Sequence, residues 1–534
     1  MQVPRPFQRI HGMVRGLETV PRSPSFEGRF GRMFRTLPPA YFTEEALQKL
    51  AAEQHMIAED EGDPTPETEA DDEENAGPDR AHPSISAGYT YWGQFIDHDL
   101  TFDPASSLQK QNDPEALEDY RTPRFDLDNL YGRGPDDQPY MYTDDGRSFV
   151  LGIPMTGAPE VNTNAHDLQR NAQTKARALI GDPRNDENKI VSQLQGLWHR
   201  FHNKIANDNP SLSFPEVQQL VRFHYQWILL HDFLPTVIAK DVLEGVLPFD
   251  KHKKPIVSKA NLQFFHYKNQ AFMPLEFSAA AYRFGHSMIR PGYRVNSTVG
   301  PQPIFVPDED TADKDLRGFQ APPSNWALDW RRYIDLVPLD YGTLVEDPDQ
   351  NDPTNQNRLQ LAYKIDTSLV NPLAHLPPRI AVNPHVLAQR NLERGWRMRL
   401  PSGQDIARAM GLVPLTDDKI VIGKFTGDTA DIKFASIASV GDGKAFVENC
   451  PLWTYVLAET IESNVTVKTL QGDKHITTRK LGPVGGRIVA ETFVGLLLAD
   501  SSSYVSLNPL WEPTTMAVNG VFGLREMIKR ALEG

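Results

Sequence analysis

The 534-residue chain is predicted to be mainly α-helical, with few short strands and long irregular connections. Three observations carry that prediction. Apolar residues recur at helical spacing over long stretches. Strand signals are confined to short runs such as Lys419–Ile422 and Thr466–Leu470. No internal repeat with a period of about 20–50 residues is visible, which excludes solenoids and propellers.

Expected helices, in chain order, begin with Glu44–Ile57, whose Leu47, Leu50, Ala51 and His55 share a face. Tyr89–Leu100, Asn188–Asn207, Phe214–Val242 and Ser278–Arg290 follow, then Gln404–Met410, Pro451–Asn464, Arg487–Leu498 and Leu524–Leu532. The glycines of Leu481–Arg487 (LGPVGGR) lack the Lys-Ser/Thr of a phosphate loop, and they read as the opening of the next helix.

Composition narrows the class. The chain is 23% charged and 40% hydrophobic, enough for a large core, and its 43 prolines and 36 glycines are spread rather than clustered. Net charge is −15, which argues against a nucleic-acid partner. That charge is concentrated: eleven carboxylates and no Lys or Arg lie between Glu59 and Asp79. The run is too charged and proline-rich to bury itself, so it reads as a solvated linker. The single cysteine, Cys450, excludes an intramolecular disulfide. The first residues show no secretory signal, and Ile488–Ala499, interrupted by Glu491, is too short to span a bilayer, so the chain reads as soluble with its location open.

Three short segments are dense in polar groups. In Tyr91–Pro104 (YWGQFIDHDLTFDP), Gln94, Asp97 and His98 share one helical face, while Asp99 points about 100° further round. In Arg121–Gly132 (RTPRFDLDNLYG), Thr122, Asp126 and Asp128 offer oxygens at a spacing a hard cation accepts, though such a pattern alone is more often an Asx-type turn. In Ile180–Ile190 (IGDPRNDENKI), Arg184 and Glu187 precede a helix, where Asp186 and Glu187 also fit ordinary capping. A His-x-x-His pair at His199 and His202 has no third ligand at metal spacing and reads as structural.

Taken together, in this order, these segments resemble the haem peroxidases of the peroxidase–cyclooxygenase superfamily, the animal-type group of myeloperoxidase and lactoperoxidase, most closely its bacterial members. Two further segments fit the same pattern: Ala279–Pro291 (AAAYRFGHSMIRP) and Gln389–Gly403 (QRNLERGWRMRLPSG). The resemblance implies a large single haem-peroxidase domain over 86–534, after an N-terminal extension (1–58) and the acidic linker (59–85).

It further implies His98 as distal base, Arg184 as distal cation and Gln94 as a distal hydrogen-bonding group. His286 would be the proximal iron ligand, Asn391 the acceptor of its other N–H, and Arg394 a haem-propionate partner. Asp97 and Glu187 fall on the carboxylates that form ester links to haem b. Asp99, Thr122, Arg124 (through its carbonyl), Asp126 and Asp128 correspond to calcium ligands. Asn188 stands where myeloperoxidase has a methionine, so no sulfonium link is expected.

The activity implied is reduction of hydrogen peroxide with oxidation of small anions (iodide, bromide, thiocyanate) or aromatic donors. Two alternatives remain. A fatty-acid dioxygenase would need a tyrosine three residues before His286, where Arg283 stands and Tyr282 is one residue out of register. A calcium-dependent adhesion or scaffold protein on the same fold would not need the complete set of His98, Arg184 and His286.

Overall fold

The computed structural model describes residues 30–52, 56, 85–102, 121–172, 176–252, 254–267, 271–306, 314–337, 359–378, 380–381, 383–423, 435–440, 444–469 and 472–533. The acidic run 59–79 lies outside these residues. Helices dominate: α1 (Glu44–Ala51), α2 (Gly88–Leu100), α3 (Lys189–Asp208), α4 (Phe214–Ile228), α5 (Lys240–Val246), α6 (Leu387–Arg397), α7 (Gly403–Ala409), α8 (Leu452–Ala458), α9 (Pro483–Ala499) and α10 (Leu524–Glu533). The strands among the described residues form two-stranded sheets only. No helix among them is long and apolar enough to cross a membrane.

The centre of the fold is α3. Asn188 caps it by accepting from the Ile190 N–H, and most of its 20 residues are buried, which marks a helix enclosed on nearly all sides. Trp198 on α3 stacks on Trp92 of α2 at 5.3 Å and 15°, and both indoles are completely buried. The stack locks α2, which carries the candidate site, to the middle of the protein. One continuous apolar cluster runs from Met33 to Ala531.

That cluster reaches into the segment read from the sequence as a separate extension. Phe30–Gly31 pairs in parallel with Met273–Pro274, and Met33, Phe34, Leu47 and Leu50 are buried in the common core. The Glu276 carboxylate accepts from the backbone N–H groups of Met33 and Phe34. Residues 30–52 are therefore part of the same body.

Three expected helices are corrected. Phe214–Val242 is divided: α4 passes through a π-turn at Leu229–Phe233 and one more turn, then ends at Ile238. Pro235 supplies the reason, since its ring would clash with the carbonyl of His231 in a regular helix. Pro451–Asn464 ends at Ala458, and Ile461–Thr469 instead pairs with Gly472–Lys480 in an antiparallel hairpin. Ser278–Arg290 is a 3-10 segment, Ala281–Met288, preceded by the single α-turn Leu275–Ser278. Helix α6 carries no expected counterpart. Asn296, in a glycosylation-like triplet, is 4% exposed and both spends its amide on Asn325 and Ala327 carbonyls and accepts from Thr298 and Val299, so it is not an acceptor site.

Candidate functional site

His98 is buried on α2. Its Nδ1 lies 2.6 Å from Asn185 Oδ1, and its Nε2 lies 3.6 Å from Glu187 Oε1. Gln94, one turn earlier, donates to the same Glu187 oxygen, and the Thr101 hydroxyl donates to Asp97 Oδ1 at 3.1 Å. Burial and then the Arg184 charge hold the His98 imidazole below its usual pKa, against the opposing pull of Glu187 and Asp182. The ring is thus neutral near pH 7, the state a proton acceptor needs. Gln94, Asp97 and His98 share the face predicted for them.

Arg184 sits in the loop crossing the end of α2. Asp182, wholly buried, accepts its backbone N–H at 2.8 Å, its Nε at 3.2 Å and its Nη2 at 2.8 Å. Nη2 also donates to the His98 carbonyl at 3.1 Å, and the guanidinium lies 4.4 Å over the Phe102 ring. Asp182 accepts a further short bond from Arg121, whose Nη1 is 3.0 Å from Asp128 Oδ1. Despite burial, these two arginines hold the Asp182 carboxyl far below the ordinary range.

Behind His98, Asp99 points the other way, as its helical position requires, into a group formed with Asp126 and Asp128 whose ligand atoms lie within 4.8 Å of one another. Asp99 is fully buried, and neither of its carboxylate oxygens has a donor in hydrogen-bond geometry. Burial, reinforced by Asp126, pushes the Asp99 carboxyl well up; burial also raises Asp128, against the pull of Arg121. Leu127 between the two loop aspartates takes the left-handed conformation (φ 57°), uncommon for a bulky residue, which turns the chain sharply there. The Thr122 hydroxyl donates to Asp126 Oδ2 at 2.7 Å. The Arg124 side chain instead reaches Asp500 at 3.6 Å. Buried carboxylate oxygens lacking donors are the set a hard cation takes.

The 3-10 turn matters on the opposite wall. Side chains three apart eclipse in such a helix, so Arg283 and His286 lie side by side and both reach Asn391 on α6. Arg283 Nη1 donates to Asn391 Oδ1 at 3.0 Å, and Asn391 Nδ2 lies 2.8 Å from His286 Nδ1. This corrects the expected sense of that contact: the amide oxygen serves Arg283, and the amide nitrogen faces the ring. Burial, followed by the neighbouring Arg283 charge, lowers His286 to about 3. Arg283 is itself lowered to about 9 by burial and then by Arg394, with Arg390 adding to the effect. Beside His286, a side chain built at Gly285 would meet nothing within 4 Å, so the wall is open there. The two walls touch directly, because the Tyr282 hydroxyl donates to the Gly93 carbonyl of α2 at 3.2 Å.

Residues 109–314 match the family model described as animal haem peroxidase. That stretch of the chain is similar to the animal haem peroxidases. The match includes Asp126, Asp128, Arg184, Glu187 and His286, while α2 precedes it. The chain is 24% identical over 229 residues to "Probable oxidoreductase PXDNL" from Homo sapiens, covering 41% of the chain and 14% of the relative. It is 25% identical over 163 residues to thyroid peroxidase from Mus musculus, covering 28% of the chain and 15% of the relative. The matches thus span under a sixth of those proteins. Among solved structures, peroxidase A from Dictyostelium discoideum superposes with a TM-score of 0.55 at 15% identity, over 96% of this chain and 95% of that one. A fatty acid α-dioxygenase from Oryza sativa, solved with palmitic acid, gives 0.50 at 14% identity, over 96% and 80%. These likenesses concern the fold. They agree with the mainly helical architecture the sequence predicts.

Four residues at the site were not singled out by sequence reasoning: Asp182, Asn185, Arg121 and Arg283. A signal existed for Asp182, since Asp-Pro-Arg places a capping carboxylate two residues before a half-buried cation. The partners of Asn185 and Arg121 come from distant segments and left none.

Proposed function

We propose that this chain reduces hydrogen peroxide at a haem held between His286 and His98 and oxidises small donors, anions such as iodide, bromide or thiocyanate, or aromatic compounds. The supporting observation is the pair of buried imidazoles, both held neutral by burial, on two walls joined by the Tyr282–Gly93 bond, each held at Nδ1 by a side-chain amide.

The residues present fit haem. His286 offers a neutral imidazole beside an open wall; to hold haem iron through Nε2 it would carry its proton on Nδ1, with the Asn391 amide turned to present its oxygen. Burial and then the Arg394 charge lower Arg283 to about 9, and burial with the Arg394 charge also lowers Arg390; two porphyrin carboxylates would be met by this cationic group. When bound, haem supplies a redox-active iron. Asp97 and Glu187 would be the carboxylates that form ester links to the haem. His98 Nε2 takes a proton from peroxide and returns it to the departing oxygen, and Arg184 provides a fixed positive charge where negative charge gathers. Gln94 holds Glu187 in place. Asp99, Asp126 and Asp128, with Thr122 and the Arg124 carbonyl, take Ca²⁺, which steadies the end of α2 directly after His98.

The dioxygenase alternative finds less support. Arg283 occupies the position where it requires a tyrosine, and the Tyr282 hydroxyl is already engaged by Gly93. The test is spectroscopic. Purified chain loaded with haem should show a Soret band that shifts on adding peroxide, and His286→Ala should release the haem. A chain that takes up no haem would refute the proposal. Turnover of a fatty acid without added peroxide would favour the dioxygenase.

A further inference from the structure

Behind the distal histidine lies a line of polar side chains that the proposed chemistry does not use. Asn185 Oδ1 faces His98 Nδ1 at 2.6 Å; Asn185 Nδ2 donates to Gln195 Oε1 at 2.8 Å; Gln195 Nε2 lies 3.1 Å from His199 Nε2. Asn185 and Gln195 are fully buried and His199 is nearly so. Gln195 and His199 are four residues apart on α3, hence on one face. The His199 ring stacks on Phe149 at 4.2 Å and 13°. Phe149 in turn exchanges two backbone bonds with the Asn203 side chain, at 2.7 and 2.9 Å. The far end of the line is therefore held as firmly as the near end.

We infer that Asn185, Gln195 and His199 form an uncharged relay that sets the tautomer of His98, keeping its proton on Nδ1 and its Nε2 lone pair open. The inference rests on the peroxidase reading for its purpose, though not for its physics. An amide oxygen only accepts and an amide nitrogen only donates. With Asn185 Oδ1 toward His98, Nδ1 must carry the proton; Gln195 Oε1 must then accept and its Nε2 donate; His199 must accept at Nε2 and protonate Nδ1. Turning one amide alone would oppose two acceptors or two donors in a buried site, leaving buried polar groups unsatisfied. The amides therefore turn together or not at all, and the proton positions on His98 and His199 are coupled. Burial holds His199 at about 3, so no charge enters the line near neutral pH.

These three are positioning residues. The relay also gives a role to one member of the His-x-x-His pair: His199 closes the line, while His202 hydrogen-bonds Tyr131 and the Arg147 carbonyl and is purely structural.

The test reads proton position directly, by ¹⁵N NMR of histidine-labelled full-length protein without haem, with His98→Gln used to assign the signal. In the unsubstituted chain, His98 should be protonated at Nδ1 alone. Gln195→Leu should spread the proton over both nitrogens. Adding Asn185→Asp to that variant, an acceptor that cannot turn, should restore pure Nδ1 protonation. A His98 proton already on Nε2, or unaffected by Gln195→Leu in a chain shown by circular dichroism to be folded, would overturn the inference. If Gln195→Leu does not fold, Gln195→Glu serves instead: it should leave His98 protonated at Nδ1 and move the His199 proton to Nε2, and a His199 proton remaining on Nδ1 would overturn the coupling. In haem-loaded protein, Gln195→Leu should slow peroxide reaction on the order of tenfold and Asn185→Asp should recover part of it. The NMR result stands whether or not haem binds, so failure of the relay and failure of the peroxidase reading are separable.

Discussion

Asp182 holds Arg184 through its backbone N–H and two guanidinium nitrogens, so the candidate cation of the distal wall has a dedicated, fully buried counter-ion two residues away. The same carboxylate binds Arg121. Removing its charge leaves two guanidinium groups competing in a largely enclosed space. Asp182→Asn should destabilise the fold by about 3–5 kcal/mol, as breaking a buried pair does, and displace Arg184 from His98. Chemical denaturation measures the first effect. The sign with pH follows from the depressed carboxyl: its contribution is complete above the unfolded-state pKa of about 3.9 and is lost only in strong acid, as pH falls through the lower folded value. A variant as stable as the parent would show that Asp182 is dispensable.

Buried histidines give a second pH dependence, with the opposite reach. His224, enclosed by Phe201, Trp511 and Phe522, bonds the Leu220 carbonyl through Nδ1 and is lowered to about 4 by burial. The unfolded chain takes up that proton near pH 6.5, whereas the folded chain refuses it until about 4. Stability should therefore fall as pH drops below about 6.5 and level off below the folded value. For this group alone the loss at pH 5 is about 2 kcal/mol. His224→Phe should remove that share of the slope, giving a shallower decline between pH 7 and 5 in denaturant titrations. An unchanged slope would mean that His224 titrates normally.

The cation group behind His98 predicts a stabilisation that a bare fold would not show. The Asp99 oxygens have no donor in good hydrogen-bond geometry, only the Tyr225 hydroxyl nearby, and bound Ca²⁺ would relieve the repulsion among the three carboxylates. At a concentration about 100 times its dissociation constant, Ca²⁺ should add about 2.7 kcal/mol, seen as a rise in Tm that a chelator reverses. Asp126→Asn should diminish that rise. No change in Tm with Ca²⁺ in the unsubstituted chain would remove the calcium assignment.

Much of this site was legible in the sequence where function depends on local spacing. Gln94, Asp97 and His98 fall on one face and Asp99 on another because α2 is a regular helix, and periodicity reads regular helices well. His286 was found through the surrounding motif, but its setting was not. The segment is 3-10 rather than α, and only the three-residue period places Arg283 beside it against Asn391. Asn185 and Arg121 escaped notice for another reason. Each acts through partners 7 to 87 positions away in the chain, a relation created by packing around Trp92 and Trp198. The division of the long helix after α4 could have been seen at Pro235, whose effect on the preceding turn is local.

The proximal arginines make a prediction about what the pocket accepts. Burial and the Arg394 charge lower the proton affinity of Arg283 and of Arg390, and Asp97 is the carboxylate opposing that effect at Arg283. A ligand bearing two carboxylates would relieve it, and an uncharged ligand of the same shape would not. The chain should accordingly bind haem more tightly than the dimethyl ester of the same porphyrin, by a factor on the order of 10–100, corresponding to about 1.4–2.7 kcal/mol from charge-assisted hydrogen bonds. Arg394→Gln should narrow that preference with a smaller effect on the diester, because the latter has no charge for it to meet. Titration of both porphyrins into parent and variant, followed by absorbance, measures the comparison. Equal affinities in the parent would mean that these arginines serve packing or another anion, and the assignment of Arg394 to a propionate would fall.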